Sequence, residues 1–103
     1  MIDLGFSTCE EILREMGGRL RAQRLAQDIT QEDLAGRAGV SVGTVKNLER
    51  NGVSSLETVI RIVQALGLAD QLQSLFEVQR RSIAQMEQAQ RTHRVRAPRR
   101  TST

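Results

Sequence analysis

The chain has 103 residues, of which 2% are aromatic, and a single cysteine, so an internal disulfide is excluded and the core must consist mainly of aliphatic side chains. It has no run of about 18 apolar residues, which argues against a membrane span, and a lone thiol suits a reducing cytoplasm. The net charge of +3 is uneven: residues 1–78 carry eight Lys or Arg against eleven Asp or Glu, whereas residues 79–103 carry seven Arg against one Glu.

The first predicted helix follows an irregular lead-in and is capped by Ser7 or Thr8, with Glu10 and Glu11 where the helix dipole favours negative charge. Apolar residues then keep helical spacing as far as Leu20. The pair Gly17-Gly18 leaves two interpretations open, since each Gly costs up to about 1 kcal/mol inside a helix. Residues 1–15 are either an extension of one weakened helix or an arm that precedes the true first helix.

Two short helices follow. Thr30 caps the second helix, with Asp33 in the capping-box position, and Gly39 ends it because Gly readily adopts a left-handed conformation. Ser41 caps the third, which Asn51-Gly52 ends. This third helix points Val45 and Leu48 inward.

The fourth predicted helix starts at Ser54, with Glu57 completing another capping box. Its apolar stripe is wide enough to cover two surfaces, and Ile60 and Ile62 extend beyond the line that faces the core. A fifth helix is expected from Ala69 or Asp70. Its inward residues would be Leu72, Leu75 and Phe76.

These patterns predict an all-α protein of five helices. The expected boundaries are an N-terminal arm or extension at 1–15, a helical domain at 16–78, and a basic C-terminal tail at 79–103 that is helical or disordered. The predicted buried residues are Leu20, Leu34, Val45, Leu48, Val59 and Leu66.

Catalysis is not indicated. The only histidine, His93, has no Cys or His near it that would complete a metal site, and neither a Ser-His-Asp set nor a catalytic carboxylate pair stands out. The sequence therefore predicts no enzyme activity, no metal and no cofactor.

Two short helices joined by a Gly-containing turn suggest a helix-turn-helix. Residues 20–52 closely resemble the DNA-binding domain of lambdoid phage repressors and the Cro/repressor-like (XRE-type) bacterial regulators. The matching features are Leu20, Arg21, Arg24, Thr30-Gln31, Leu34-Ala35, Ala38-Gly39-Val40-Ser41, Thr44-Val45 and Leu48-Glu49-Arg50. The resemblance implies a lambda-repressor-like domain whose third helix enters the major groove of double-stranded DNA.

The resemblance also implies roles for single residues. Asn47 is the best candidate for base readout because Asn can bond adenine bidentately, and Lys46 would reach a guanine or a phosphate. Val42 offers methyl contact to thymine or is partly covered by neighbours, and Gly43 allows close backbone approach. The expected contacts to the DNA backbone come from Gln31, Thr44, Arg50 and Asn51, and Ser41 is also expected at the DNA surface.

The sequence departs from these relatives at Val42 and Gly43, where the relatives often carry side chains that hydrogen-bond to bases. Specificity is then expected to depend on Asn47, Lys46 and DNA shape. A further implication of the resemblance is an ion pair between Arg24 and Glu49, which would fix the first helix to the third.

The function implied is that of a cytoplasmic, nucleoid-associated repressor that binds a palindromic operator as a homodimer. A finer resemblance, in the segments EILREMGGRLRAQRLAQDITQEDLA and IVQALGLADQLQSLF and in the Arg-rich tail, is to HipB-type antitoxins, which implies a HipA-like kinase toxin as a partner. The alternatives are a stand-alone or phage-type repressor and an adaptor that bridges proteins.

Overall fold

The computed structural model describes residues 3–79 of the chain. Contacts divide the chain into two units, Met1–Gln73 and Ser74–Thr103. The first unit contains four α-helices, α1 (Cys9–Ala26), α2 (Gln31–Ala38), α3 (Val42–Asn51) and α4 (Leu56–Ala65), together with short 3-10 helices at Leu4–Phe6 and Ala69–Leu72. No strand occurs in residues 3–79, and the all-α prediction is confirmed over that range.

The first helix, α1, is a single helix that runs through Gly17-Gly18. Thr8 begins it with a complete capping box: the Thr8 hydroxyl accepts from the Glu11 amide at 3.1 Å, and the Thr8 amide donates to the Glu11 carboxylate at 2.9 Å. At the other end Asp28 has a positive φ of 57°. The Ile29 amide then reaches back to the Arg24 carbonyl at 3.2 Å.

The turn between α2 and α3 follows the sequence prediction. The hydroxyls of Thr30 and Ser41 accept from the amides of Asp33 and Thr44 at 3.0 and 3.1 Å, so each caps its helix. Between them, Gly39 ends α2 with a φ of 72°, in the left-handed region that Gly enters without strain.

The fourth and fifth predicted helices need correction. Ser55, and not Ser54, caps α4, because its hydroxyl accepts from the Thr58 amide at 3.1 Å and also donates to the Thr58 hydroxyl. The expected fifth helix is a 3-10 helix of four residues, Ala69–Leu72. After Leu72 the chain continues in turns, and the Phe76 backbone, with a φ of 59°, lies outside the right-handed helical region.

Aliphatic side chains from α2, α3 and α4 build the core. Its buried members are Ile29, Leu34, Ala35, Ala38, Val45, Leu48, Ile62 and Leu66. Leu20 and Val59, which were predicted to be buried, are only partly buried and pack against this cluster. Ile62, which was predicted to lie beyond the core line, is 1% exposed, because α4 turns this side chain inward. None of the helices between residues 3 and 79 has the length and apolarity needed to cross a membrane.

The closest helix contact is the crossing of α1 over α3. A Cβ on Gly17 would overlap the carbonyl oxygen of Leu48, and a Cβ on Gly52 would overlap the backbone of Leu13. Gly52 also has a φ of 76°, which only Gly adopts easily. Backbone therefore meets backbone at both glycines, and this fixes α3 directly on α1.

Of the second unit, the structure describes residues 74–79. The Glu77 amide donates to the Ser74 carbonyl at 3.3 Å, which closes a turn. Leu75 and Phe76, which were expected to face inward, are exposed because this turn replaces the expected helix. Most of the predicted basic tail, from residue 80 onward, lies outside the described residues.

Candidate nucleic-acid interface

A buried ion pair connects α1 to the inner side of α3. Arg24 Nε and Nη2 donate to the two carboxylate oxygens of Glu49 at 2.7 and 3.0 Å, and the two side chains are 8% and 4% exposed. Arg24 Nη1 also donates to the Ile29 carbonyl at 2.8 Å. The hydrogen bond to Glu49 raises the pKa of Arg24 above its usual value, against the opposing effect of burial. These are the two residues that the resemblance pairs.

Gln31 joins the same network from the first turn of α2. Its Nε2 donates to Glu49 Oε1 at 3.0 Å, so the side-chain amide is half-buried against the ion pair. This geometry uses one Gln31 donor to hold α2 against α3. The backbone N–H of Gln31 lies at the N-terminal end of α2, where free amides point out of a helix.

The outward side of α3 carries the exposed candidates for DNA contact. Gly43, Lys46 and Arg50 are exposed and recur at helical spacing, and we call them the outer row. The opposite side holds the buried residues Val45, Leu48 and Glu49. The outer row therefore presents two cationic side chains beside a glycine, where no side chain blocks the close approach of a ligand to the α3 backbone.

The N-terminal end of α3 is more enclosed than its sequence suggests. Val42 is half-buried and packs against the core. The hydroxyls of Ser41 and Thr44 lie 2.8 Å apart and share a hydrogen bond, while the Ser41 oxygen also caps the helix. Of these three residues, Ser41 is the exposed one.

The Asn47 amide is engaged at the C-terminal end of α3. Its Nδ2 donates to the Val53 carbonyl at 3.3 Å, and its Oδ1 accepts from Arg50 Nη2 at 3.0 Å and from Asn51 Nδ2 at 3.4 Å. Asn51 Oδ1 in turn accepts from the Val53 amide at 2.9 Å. The sequence analysis did not predict this network. The available signal was the pair Asn47 and Asn51, four residues apart and directly before Gly52.

The structure thus places the predicted DNA contacts on one helix and on the adjoining start of α2. Within residues 3–79 no group of three or more Asp, Glu, His or Cys is arranged to hold a metal ion. The arrangement offers cationic side chains, hydroxyls and amides at α3 and the start of α2, and these are the groups that contact phosphates and base edges.

A short helix with one buried and one exposed side, packed on a small all-α domain, is typical of the helix-turn-helix class of DNA-binding proteins. The family model described as Helix-turn-helix matches residues 20–73, more than half of the chain, and the protein belongs to that family. The resemblance to Cro/repressor-like regulators is confirmed at this level, and the protein is a DNA-binding transcription regulator. A comparison with curated proteins finds no match.

Proposed function

We propose that the protein is a transcriptional repressor that binds a palindromic operator in the bacterial cytoplasm as a homodimer. The observation that carries this proposal is the two-sided character of α3. Its inner side is fixed by the Arg24–Glu49 pair and the Gly17 crossing, while its outer row is exposed and cationic. A helix held this rigidly keeps its side chains in register with base pairs.

The proposed DNA contacts divide into two kinds. Lys46 and the backbone at Gly43 meet base edges, and Arg50, Ser41 and the Gln31 backbone amide meet phosphates. Residues 1–78 carry a net negative charge. Binding must therefore depend on this local cationic surface and on the basic tail.

A fluorescence anisotropy titration tests this contact surface. The probes are the DNA fragment upstream of the protein's own gene and a scrambled fragment of equal length. Lys46→Ala is expected to weaken operator binding by about 1–3 kcal/mol, whereas Arg14→Ala on α1 removes the same charge and should change it little. Equal affinity of the wild type for both fragments would refute specific operator binding, and no binding at all would favour the adaptor alternative.

The proposed dimer contact is an apolar strip on and before α4, formed by Val53, Leu56 and Ile60. These side chains are 53%, 74% and 36% exposed, although all three are large and apolar. The exposed pair Glu57–Arg61, at 2.9 Å, flanks an open groove lined by Leu56 and Ile60. Each copy thus offers both signs of charge beside an apolar surface, which makes the patch complementary to itself, as a two-fold contact between identical copies requires.

Sedimentation tests the dimer. Leu56→Glu is expected to convert the protein to a monomer and to weaken operator binding, because two α3 helices must be held about 34–36 Å apart to read two half-sites. Leu25→Glu is the matched control, since Leu25 is 50% exposed at the end of α1. A dimer that survives Leu56→Glu would exclude the α4 strip as the contact.

The antitoxin role rests on the resemblance to HipB-type proteins, and it is the finer part of the proposal. It predicts that the reading frame beside this gene encodes a HipA-like kinase, and that the two purified proteins form a complex. Deleting residues 90–103 removes five Arg. If the tail serves DNA, log affinity should depend less steeply on log salt after deletion; if it serves the toxin, that slope should persist while the complex is lost. An unrelated neighbouring gene would favour the stand-alone repressor.

A further inference from the structure

We infer that Asn47 and Asn51 form a clamp on Val53 that positions α3, and that Asn47 acts on DNA through this clamp and does not read a base. The inference concerns the proposed DNA surface and rests on the proposed function. It assigns specificity to the remaining exposed side chains of α3, above all Lys46.

The first argument is that the clamp uses both sides of the Asn47 amide. The Nδ2 group donates to the Val53 carbonyl at 3.3 Å, and Oδ1 accepts from Arg50 and Asn51 at 3.0 and 3.4 Å. A bidentate contact to adenine needs one donor and one acceptor from the same amide. Nδ2 keeps a second N–H, but both lone pairs of Oδ1 are occupied, so reading an adenine would require breaking a bond to Oδ1 first.

The second argument is that the clamp holds the segment where α3 meets α1. Asn47 bonds the Val53 carbonyl and Asn51 bonds the Val53 amide, so both polar groups of one peptide residue are held by α3 side chains. The preceding residue, Gly52, lies against the backbone of Leu13 with no room for a Cβ. The clamp thus fixes the chain beside the crossing that sets the direction of α3.

The third argument is that the clamp also directs Arg50. The bond from Arg50 Nη2 to Asn47 Oδ1, at 3.0 Å, orders a long exposed side chain of the outer row. An Arg that is ordered before binding loses less conformational entropy on meeting a phosphate. By contrast, the Lys46 side chain makes no hydrogen bond or ion pair with another residue within 3–79.

The test compares Asn47→Ala, Asn51→Ala and the double variant, with Gln71→Ala as a control that removes an exposed amide elsewhere. Operator affinity is measured at a temperature where circular dichroism shows every variant folded. The base preference at each operator position is read by selection from a randomised library. Hydrogen exchange at the Val53 amide reports the clamp itself.

A clamp predicts that Asn47→Ala and Asn51→Ala each weaken operator binding about three- to tenfold. The double variant should bind the operator no more weakly than the weaker-binding of the two single variants, because both belong to one network. The base preferences should stay unchanged. Exchange at the Val53 amide should speed up in Asn51→Ala and in the double variant. Relaxed preference at one position in Asn47→Ala would overturn the inference, because it would identify a base reader. Unchanged affinity in the folded variants would overturn it too, because the network would then serve stability alone. A wild-type protein that shows no preference for the operator over other DNA would instead refute the proposed function.

Discussion

Replacing Arg24 with Met tests how far the buried ion pair stabilises the domain. Met keeps most of the aliphatic stem but removes the charge, so Glu49 remains as a carboxylate that is 4% exposed and bonded to Gln31 alone. The Ile29 carbonyl loses its partner as well. Breaking a buried pair in this way costs about 3–5 kcal/mol. That is a large part of the roughly 5–15 kcal/mol that stabilises a typical domain.

Urea denaturation followed by circular dichroism measures this cost. At a typical slope of about 2 kcal/mol per molar, the midpoint should fall by about 2 M. The matched control is Arg19→Met, which breaks the exposed pair with Glu15 on α1, at 2.8 Å, and should cost less than about 1 kcal/mol because solvent screens it. The double variant Arg24→Met/Glu49→Leu should recover most of the loss, since no charge is then stranded.

The effect should not vary with pH near neutrality. The pKa of Arg24 is raised in the folded protein, so its stabilising effect is fully present below the ordinary arginine value and disappears only as the pH rises through the raised one. Equal losses for Arg24→Met and Arg19→Met would refute the reasoning, because burial would then make no difference to the pair.

Four further substitutions should change the denaturation midpoint in known directions. Gly17→Ala should lower the free energy of unfolding by about 1–3 kcal/mol because its Cβ overlaps the Leu48 carbonyl, whereas Gly18→Ala, which meets nothing within 4 Å, should raise it by up to about 1 kcal/mol. Asp28→Gly should raise it by up to about 1 kcal/mol by relieving the positive φ, and a loss would show that the Asp side chain contributes more than the strain costs. Leu48→Ala should lower it by about 2–5 kcal/mol, since this side chain is 2% exposed in the core; a loss below 1 kcal/mol would mean that the site collapses without a cavity.

Local signals in the sequence predicted the helices of the DNA-binding unit well. Thr30, Ser41 and Gly39 act through their own neighbours in the chain, so cap and stop residues are visible without any tertiary contact. The prediction of a fifth helix was wrong because it depended on local spacing alone. The apolar residues Leu72, Leu75 and Phe76 have helical spacing, but spacing does not show that the backbone leaves the helical region at Phe76.

Long-range contacts were not visible in the same way. In the sequence, Gly17 indicates only a residue that destabilises a helix. The crossing with α3 shows why a larger side chain would not fit there. Asn47 has the chemistry of a base reader, but its engagement with Val53 depends on how the chain turns after Gly52. The Arg24–Glu49 pair was accessible only through resemblance, because 25 residues separate the two side chains.

The backbone contact between α1 and α3 separates the orientation of α3 from the chemistry of its surface. Gly17 and Gly52 set the distance between the two helices, so replacing Gly43 or Lys46 with other residues leaves the position of α3 on α1 unchanged. This surface can therefore be replaced as a unit, with new outward side chains grafted onto the same frame. Under the proposed function, a library varied at those two positions is expected to yield proteins that bind altered operators and keep the same packing of α3 on α1.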